Sequence, residues 1–206
     1  MRLSLRLYHV FCLSVGGLLV LSALAMAQES IQARIGLQIK SGDRILRAKA
    51  FDRAQVGDLL RVYVVPEEAA YVYVMHTDGQ TVSLLNTEQH SKIAKGDTVV
   101  LPGRDKFYLI KPGSTVERFT IICSSTEISD LTDLFASGGI ASSKWSVLEK
   151  DLLEKAQPDL TTPIDKPIAM AGNTRGVDQD DAFFAQLQNF SSKSLLVKQY
   201  ELKVAQ

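Results

Sequence analysis

Tyr71-Val72-Tyr73-Val74-Met75, then Asp78-Gly79, then Thr81-Val82-Ser83-Leu84-Leu85: the reading of this stretch decides the fold. The first segment is rich in aromatic and β-branched residues, which fit a pleated, half-buried surface. Asp-Gly is a favoured two-residue turn, because glycine takes positive φ without penalty. The stretch therefore predicts a tight hairpin whose return strand begins near Thr81.

The same pattern extends to both sides. Ile35, Leu37 and Ile39 alternate with Gly36, Gln38 and Lys40, the two-residue period of a half-buried strand. Ser41-Gly42-Asp43 breaks that run, and residues 45–51 are expected to return as its hairpin partner. Gly57-Asp58 opens a strand in which Leu60, Val62 and Val64 share a face, ended by Pro66. After a loop over residues 86–95, short strands are expected at 98–101, 107–110 and 118–124, with Gly96-Asp97 and Pro112-Gly113 as turns. Short strands at this spacing indicate an antiparallel sandwich or partly open barrel, mainly β.

Beyond residue 125 the pattern changes. A short helix is expected over 128–135, and a longer one over 144–156, capped by Ser142 or Ser143 and carrying Trp145, Leu148 and Leu152 on one face. Pro158, Pro163 and Pro167 mark an extended connection, residues 171–181 read as loop, and Phe183, Phe184 and Leu187 tuck a short turn onto the core. A closing strand follows over 195–204, with Tyr200, Leu202 and Val204 facing one way. The organisation is one β-rich domain over 28–206: a core at 31–125, a helical insertion at 128–157, and the connection and closing strand at 158–206.

The amino terminus carries a different message. Arg2 and Arg6 precede an uncharged run over residues 7–27, which closes on Ala25-Met26-Ala27 before Gln28. That is the order of a secretory signal peptide, with cleavage expected after Ala27. The alternative is an uncleaved inner-membrane anchor over residues 7–27, although Ser14, Gly16 and Gly17 break its apolar centre. The mature chain is expected in the periplasm or secreted. It would meet a membrane only if the leader were retained.

With 23 basic and 23 acidic residues, dispersed along the chain, composition gives no reason to expect nucleic-acid binding. Of two cysteines, Cys12 lies in the leader, so Cys123 has no partner for an internal disulfide. Alternation places it with Phe119 and Ile121, the setting of a small buried hydrophobe.

Residues 55–125 resemble a bacterial family known as domain of unknown function 4384. The resemblance rests on Val56-Gly57-Asp58-Leu59-Leu60-Arg61-Val62, on Ala70 to Val74 with Asp78 to Asn86, on Lys95-Gly96-Asp97 through Pro102, and on Pro112-Gly113 with Glu117. Leu85 stands where the family often has proline. The resemblance implies an exported β-rich module, here standing alone, and brings no activity with it.

The chemistry-bearing residues are sparse. His76 and His90 lack an indicated third ligand, so no metal or other cofactor is expected. Asp178-Gln179-Asp180-Asp181 departs from a calcium loop at Ala182 and Phe183, where an oxygen donor and a glycine belong. No Gly-x-Ser-x-Gly elbow, phosphate loop or dinucleotide fingerprint appears. Alternation sets His76 with Val72 and Val74 and Cys123 with Phe119, which argues against a Cys–His dyad. Tyr71 and Tyr73, with Met75, share a strand face that would bind a sugar or peptide if exposed and would be core if covered. The expectation is a non-catalytic binding or assembly module of the cell envelope, whose partner is another envelope protein. The alternatives are an exported hydrolase with a dispersed site, and an adhesin or carbohydrate binder using the tyrosine face.

Overall fold

The structure is a computed structural model that describes residues 30–87, 91–157 and 179–205. The leader with Ala25, Ala27 and Gln28, His90, and the proline-marked connection lie outside the described residues. Two mostly antiparallel sheets stack as a sandwich, and no closed barrel forms.

In the first sheet, β1 (Ile31–Ser41) lies between β4 (Leu59–Pro66) and the pair β2 (Arg44–Arg47) and β11 (Gln188–Ser192). Two short strands, β7 (Val99–Leu101) and β8 (Tyr108–Leu109), line the far side of β4. The second sheet runs β10 (Ile140–Ala141), β6 (Thr81–Leu84), β5 (Tyr71–Thr77), β9 (Val116–Ser124), β12 (Leu195–Ala205), β3 (Phe51–Gln55). Among the described strands only β3 and β12 pair in parallel.

Between the sheets lie Ile35, Leu37, Ile39, Leu60, Val62 and Val64 from one side. Val72, Val74, Phe119, Ile121, Cys123, Tyr200 and Leu202 meet them from the other. These are the residues that period-two alternation selects. Alternation also implies a solvated outer face, and here the structure differs. The outer face of the second sheet is covered by α1 (Ser129–Phe135) and α2 (Ser142–Lys155), with Leu131, Phe135, Trp145 and Leu152 packed on Tyr73, Met75 and Ile122. On the first sheet, Phe183 and Leu187, within and just after α3 (Gln179–Phe184), pack on Tyr63 and Val65. The helix α3 begins inside the stretch read as loop.

Gly36 lies on that second covered face. A Cβ there would sit 2.6 Å from Leu187 Cδ2 and 3.2 Å from Phe183 Cε1, so glycine leaves the room those side chains fill. Gly36→Val is expected to cost about 1–3 kcal/mol by overpacking, read as a lower urea midpoint. A midpoint unchanged from wild type would mean that this segment does not seat on β1.

The hairpin itself is longer than expected. Thr77 pairs with Val82, which leaves a four-residue loop, and Asp78 does not take positive φ. The Asp78 carboxylate instead accepts the N–H groups of Gln80 (2.9 Å) and Thr81 (3.1 Å). Those two donors hold its pKa below the usual carboxylate range. A side chain that satisfies the loop backbone removes the need for a two-residue turn. Gly79, at φ +97°, carries the positive φ, and a Cβ on it would meet nothing within 4 Å. Gly79→Val should therefore cost about 1–3 kcal/mol through backbone strain alone, read as a lower denaturant midpoint.

Two further differences have clear causes. The partner of β1 ends at Arg47, and the chain then crosses so that Phe51 opens an edge strand of the other sheet. The helix α2 starts at Ser142 with Ala141 as its N-cap residue and no side-chain cap bond. Ser142 N–H donates instead to Gln80 C=O at 2.9 Å, so the chain enters the helix directly from the β10–β6 pairing.

Candidate functional site

The tyrosine face is not a solvent platform. Tyr73 is 5% and Met75 1% exposed beneath α1 and α2, and Tyr71 is half-buried at the margin. Burial raises the Tyr73 pKa above its ordinary value. The reason lies outside the hairpin: the helical segment returns over this face and covers it.

Where α1 ends, the cover leaves a pocket of about 450 Å³, with Tyr73, Leu84 and Asn86 on the sheet side and Thr132 and Phe135 on the helix side. Asn86 is buried and uses both ends of its amide, accepting from Val74 N–H (3.0 Å) and donating to Val72 C=O (2.6 Å). Its side chain extends the β5–β6 ladder past the end of β6, a structural role.

At one end of the inter-sheet core, His76 Nε2 pairs with Glu117 Oε2. The carboxylate is 7% and the imidazole 26% exposed. Phe119 and Tyr108 flank the ring, at centroid distances of 4.8 and 6.3 Å. Burial pushes the Tyr108 hydroxyl up to about 12. A carboxylate on one nitrogen orients an imidazole for acid–base work, but such work also needs a reacting group. The nearest candidate in the register is Ser83, which pairs with His76 across β5 and β6, but no hydrogen bond joins the two side chains among the described residues.

Cys123 and His76 do face the same core, contrary to the simple alternation argument. They stay apart along the strands, because Cys123 pairs with Val72 while His76 pairs with Phe119. Burial pushes the Cys123 thiol up to about 12. A thiol reagent should label it slowly in native protein and rapidly after denaturation. Fast native labelling would contradict this burial. Among the described residues, no three His, Cys, Asp or Glu side chains are placed to hold a metal ion.

The other end of the second sheet offers an exposed arrangement. Phe51 is 79% exposed at the start of the edge strand β3. With Arg53, Glu201 and Lys203 it borders a surface hollow of about 360 Å³. Arg118 pairs with Glu201 through Nη2 at 2.6 Å, so that acid is already neutralised. Arg53 and Lys203 make no ion pair among the described residues. The bonds Glu201 N–H to Ala50 C=O and Val56 N–H to Ala205 C=O fix the ladder phase, so residues 51, 53 and 55 turn their backbone groups outward. Two of those outward N–H groups are already taken: Arg53 N–H donates to Asp52 Oδ1 (2.9 Å) and Gln55 N–H to Asp58 Oδ2 (2.9 Å). The edge is therefore blunted against strand addition, while its side chains stay displayed.

The chain matches no family model, no curated protein and no solved structure.

Sequence reasoning missed both Phe51 and the Glu117 partner of His76. Phe51 reads as the end of a hairpin strand, and only the crossing to the second sheet exposes it. The aromatic residue beside Arg53 was the available signal. His76 and Glu117 are 41 positions apart, and only the β5–β9 register brings them together.

Proposed function

We propose that the mature chain is a non-catalytic binding or assembly module of the cell envelope, exported by its leader, and that it engages another envelope protein through the β3 edge. The observation that carries this reading is Phe51, displayed beside Arg53 and Lys203. Exposed aromatic and arginine side chains are the types that dominate binding energy at protein interfaces. With two of the three outer N–H groups of β3 held by Asp52 and Asp58, recognition falls mainly to side chains. The complementary partner surface presents an apolar pocket for Phe51 and a carboxylate for Arg53 and Lys203. The resemblance to the domain of unknown function 4384 family supports an exported β-rich module.

The test is capture from intact envelopes with tagged full-length chain, read by mass spectrometry, for wild type and for Phe51→Ala with Arg53→Glu. One protein recovered by wild type and lost by the variant, with both folded, is the expected result. Identical recovery by the two would overturn the reading. The intact mass of the exported chain checks the leader: a species lacking residues 1–27 is expected, and one retaining them favours the anchor.

The hydrolase alternative has the His76–Glu117 pair in its favour. Its hydroxyl would be that of Ser83, opposite His76 in the β5–β6 register, or a bound water, and His76→Ala would then abolish any hydrolysis measured with the purified protein.

A further inference from the structure

We infer that the pocket between α1 and the second sheet is a binding site for a small, uncharged, mainly apolar molecule that carries one hydrogen-bond acceptor. Its volume of about 450 Å³ falls within the range of about 300–1,000 Å³ typical of small-molecule sites. Among the described residues none of its lining side chains is charged, so an ionised ligand would lose its hydration without gaining a counter-charge from them. Leu84, Phe135 and the Tyr73 ring supply the apolar walls.

The acceptor requirement follows from the hydroxyls. Tyr73 Oη accepts the Ile128 N–H at 2.9 Å, and the Thr132 hydroxyl lies close enough to act on it. Two hydroxyl protons belong to this pair, and at most one of them can bridge the two oxygens. The second has no acceptor among the described residues, and both side chains line the pocket. Thr132 is half-buried, so in the free protein this proton can turn to water, and a ligand that displaces the water must supply a carbonyl or ether oxygen in its place. Asn86 is held in orientation by Val72 and Val74, which engage its oxygen and one of its two N–H groups.

The site lies at the β6 side of the second sheet, whereas β3 is at the opposite edge. The inference is therefore independent of the proposed partner surface. The protein also carries its own reporter. Trp145 is the one tryptophan in the chain, and its ring lies 5.9 Å from that of Phe135, which lines the pocket.

The probe is Prodan, an uncharged naphthyl ketone, titrated into the full chain with energy transfer from Trp145 as readout. Saturable transfer with a blue-shifted probe emission is expected. Thr132→Val keeps the side-chain shape and removes one hydroxyl, and should weaken binding roughly three- to tenfold. Ala136→Phe, at an exposed position on the lining, should fill the pocket and abolish transfer. If that variant melts early, Thr87→Phe closes the opposite wall from another exposed position. Absence of saturable transfer in wild type would overturn the inference. So would transfer that persists in a folded Ala136→Phe or Thr87→Phe protein.

Discussion

Replacing Trp145 with alanine should lower the unfolding free energy by about 3–5 kcal/mol, the range for truncating a large buried aromatic. Trp145 is 3% exposed and packs against Phe135 beneath α2. The helix has few other anchors. Leu152 is buried, whereas Val147 and Leu153 face away at 74% and 41% exposed. Leu148 packs on the same cluster only in part, and a polar hold is added by Glu149, which is buried and accepts from Thr120 Oγ1 and Gln199 Nε2, each at 2.8 Å. Removing the indole leaves a cavity on the outer face of the second sheet and opens Tyr73 and Met75 to water. Urea melts followed by far-ultraviolet circular dichroism would measure the loss, since the fluorophore is itself removed. Trp145→Phe should recover much of it. A Trp145→Ala midpoint within error of wild type would show that α2 does not depend on this contact.

Phe119→Ala is the second large effect expected, again about 3–5 kcal/mol. Phe119 is fully buried between the sheets and touches both His76 and Tyr108, at ring distances of 4.8 and 6.2 Å. The two sheets meet there with side chains from β5, β8 and β9, so neighbouring residues cannot close the void without moving a strand. The lost ring also exposes the His76–Glu117 pair, whose carboxylate is otherwise shielded. Phe119→Leu should cost less, because most of the volume is retained. The comparison of the three proteins in one denaturant series is the check. Equal midpoints for the alanine and leucine variants would mean that cavity volume at this position does not set stability.

The strands were legible because each core strand obeys a period of two. Ile35, Leu37 and Ile39, then Leu60, Val62 and Val64, then Val72 and Val74 all turn to the inter-sheet core as alternation requires. The closing strand was legible for the same reason, with Tyr200 and Leu202 buried. Local pattern could not reveal that the opposite faces are covered as well. Gly36, Gln38 and Arg61 lie on such a face and are buried, at 1% exposure for Gln38 and 3% for Arg61. Arg61 is accommodated there by lying 3.8 Å over the Phe107 ring and donating to Lys106 C=O. A charged residue opposite an apolar stripe reads as solvated when only its near neighbours in the chain are considered. The helix and turn that cover this face, around Phe183 and Leu187, lie far along the chain from it.

The candidate sites were less legible than the fold. Tyr71, Tyr73 and Met75 share a face, as the alternation requires, but the helices decide that the face is core with a pocket at its margin. Phe51 and Arg53 are exposed because β3 joins β12 in parallel at the end of a sheet, pairing Phe51 with Glu201 from the far end of the chain.

By itself, then, the sequence determined the β class, the position of most strands and helices, and the burial of Cys123, because these follow from side-chain periodicity and turn chemistry within a few residues. The tertiary structure alone decided which strand lies at an edge, which outer face is covered, and which polar side chains meet. Those outcomes depend on strand order and layer packing, where distant segments compete to bury the same surface, and no local period encodes the winner.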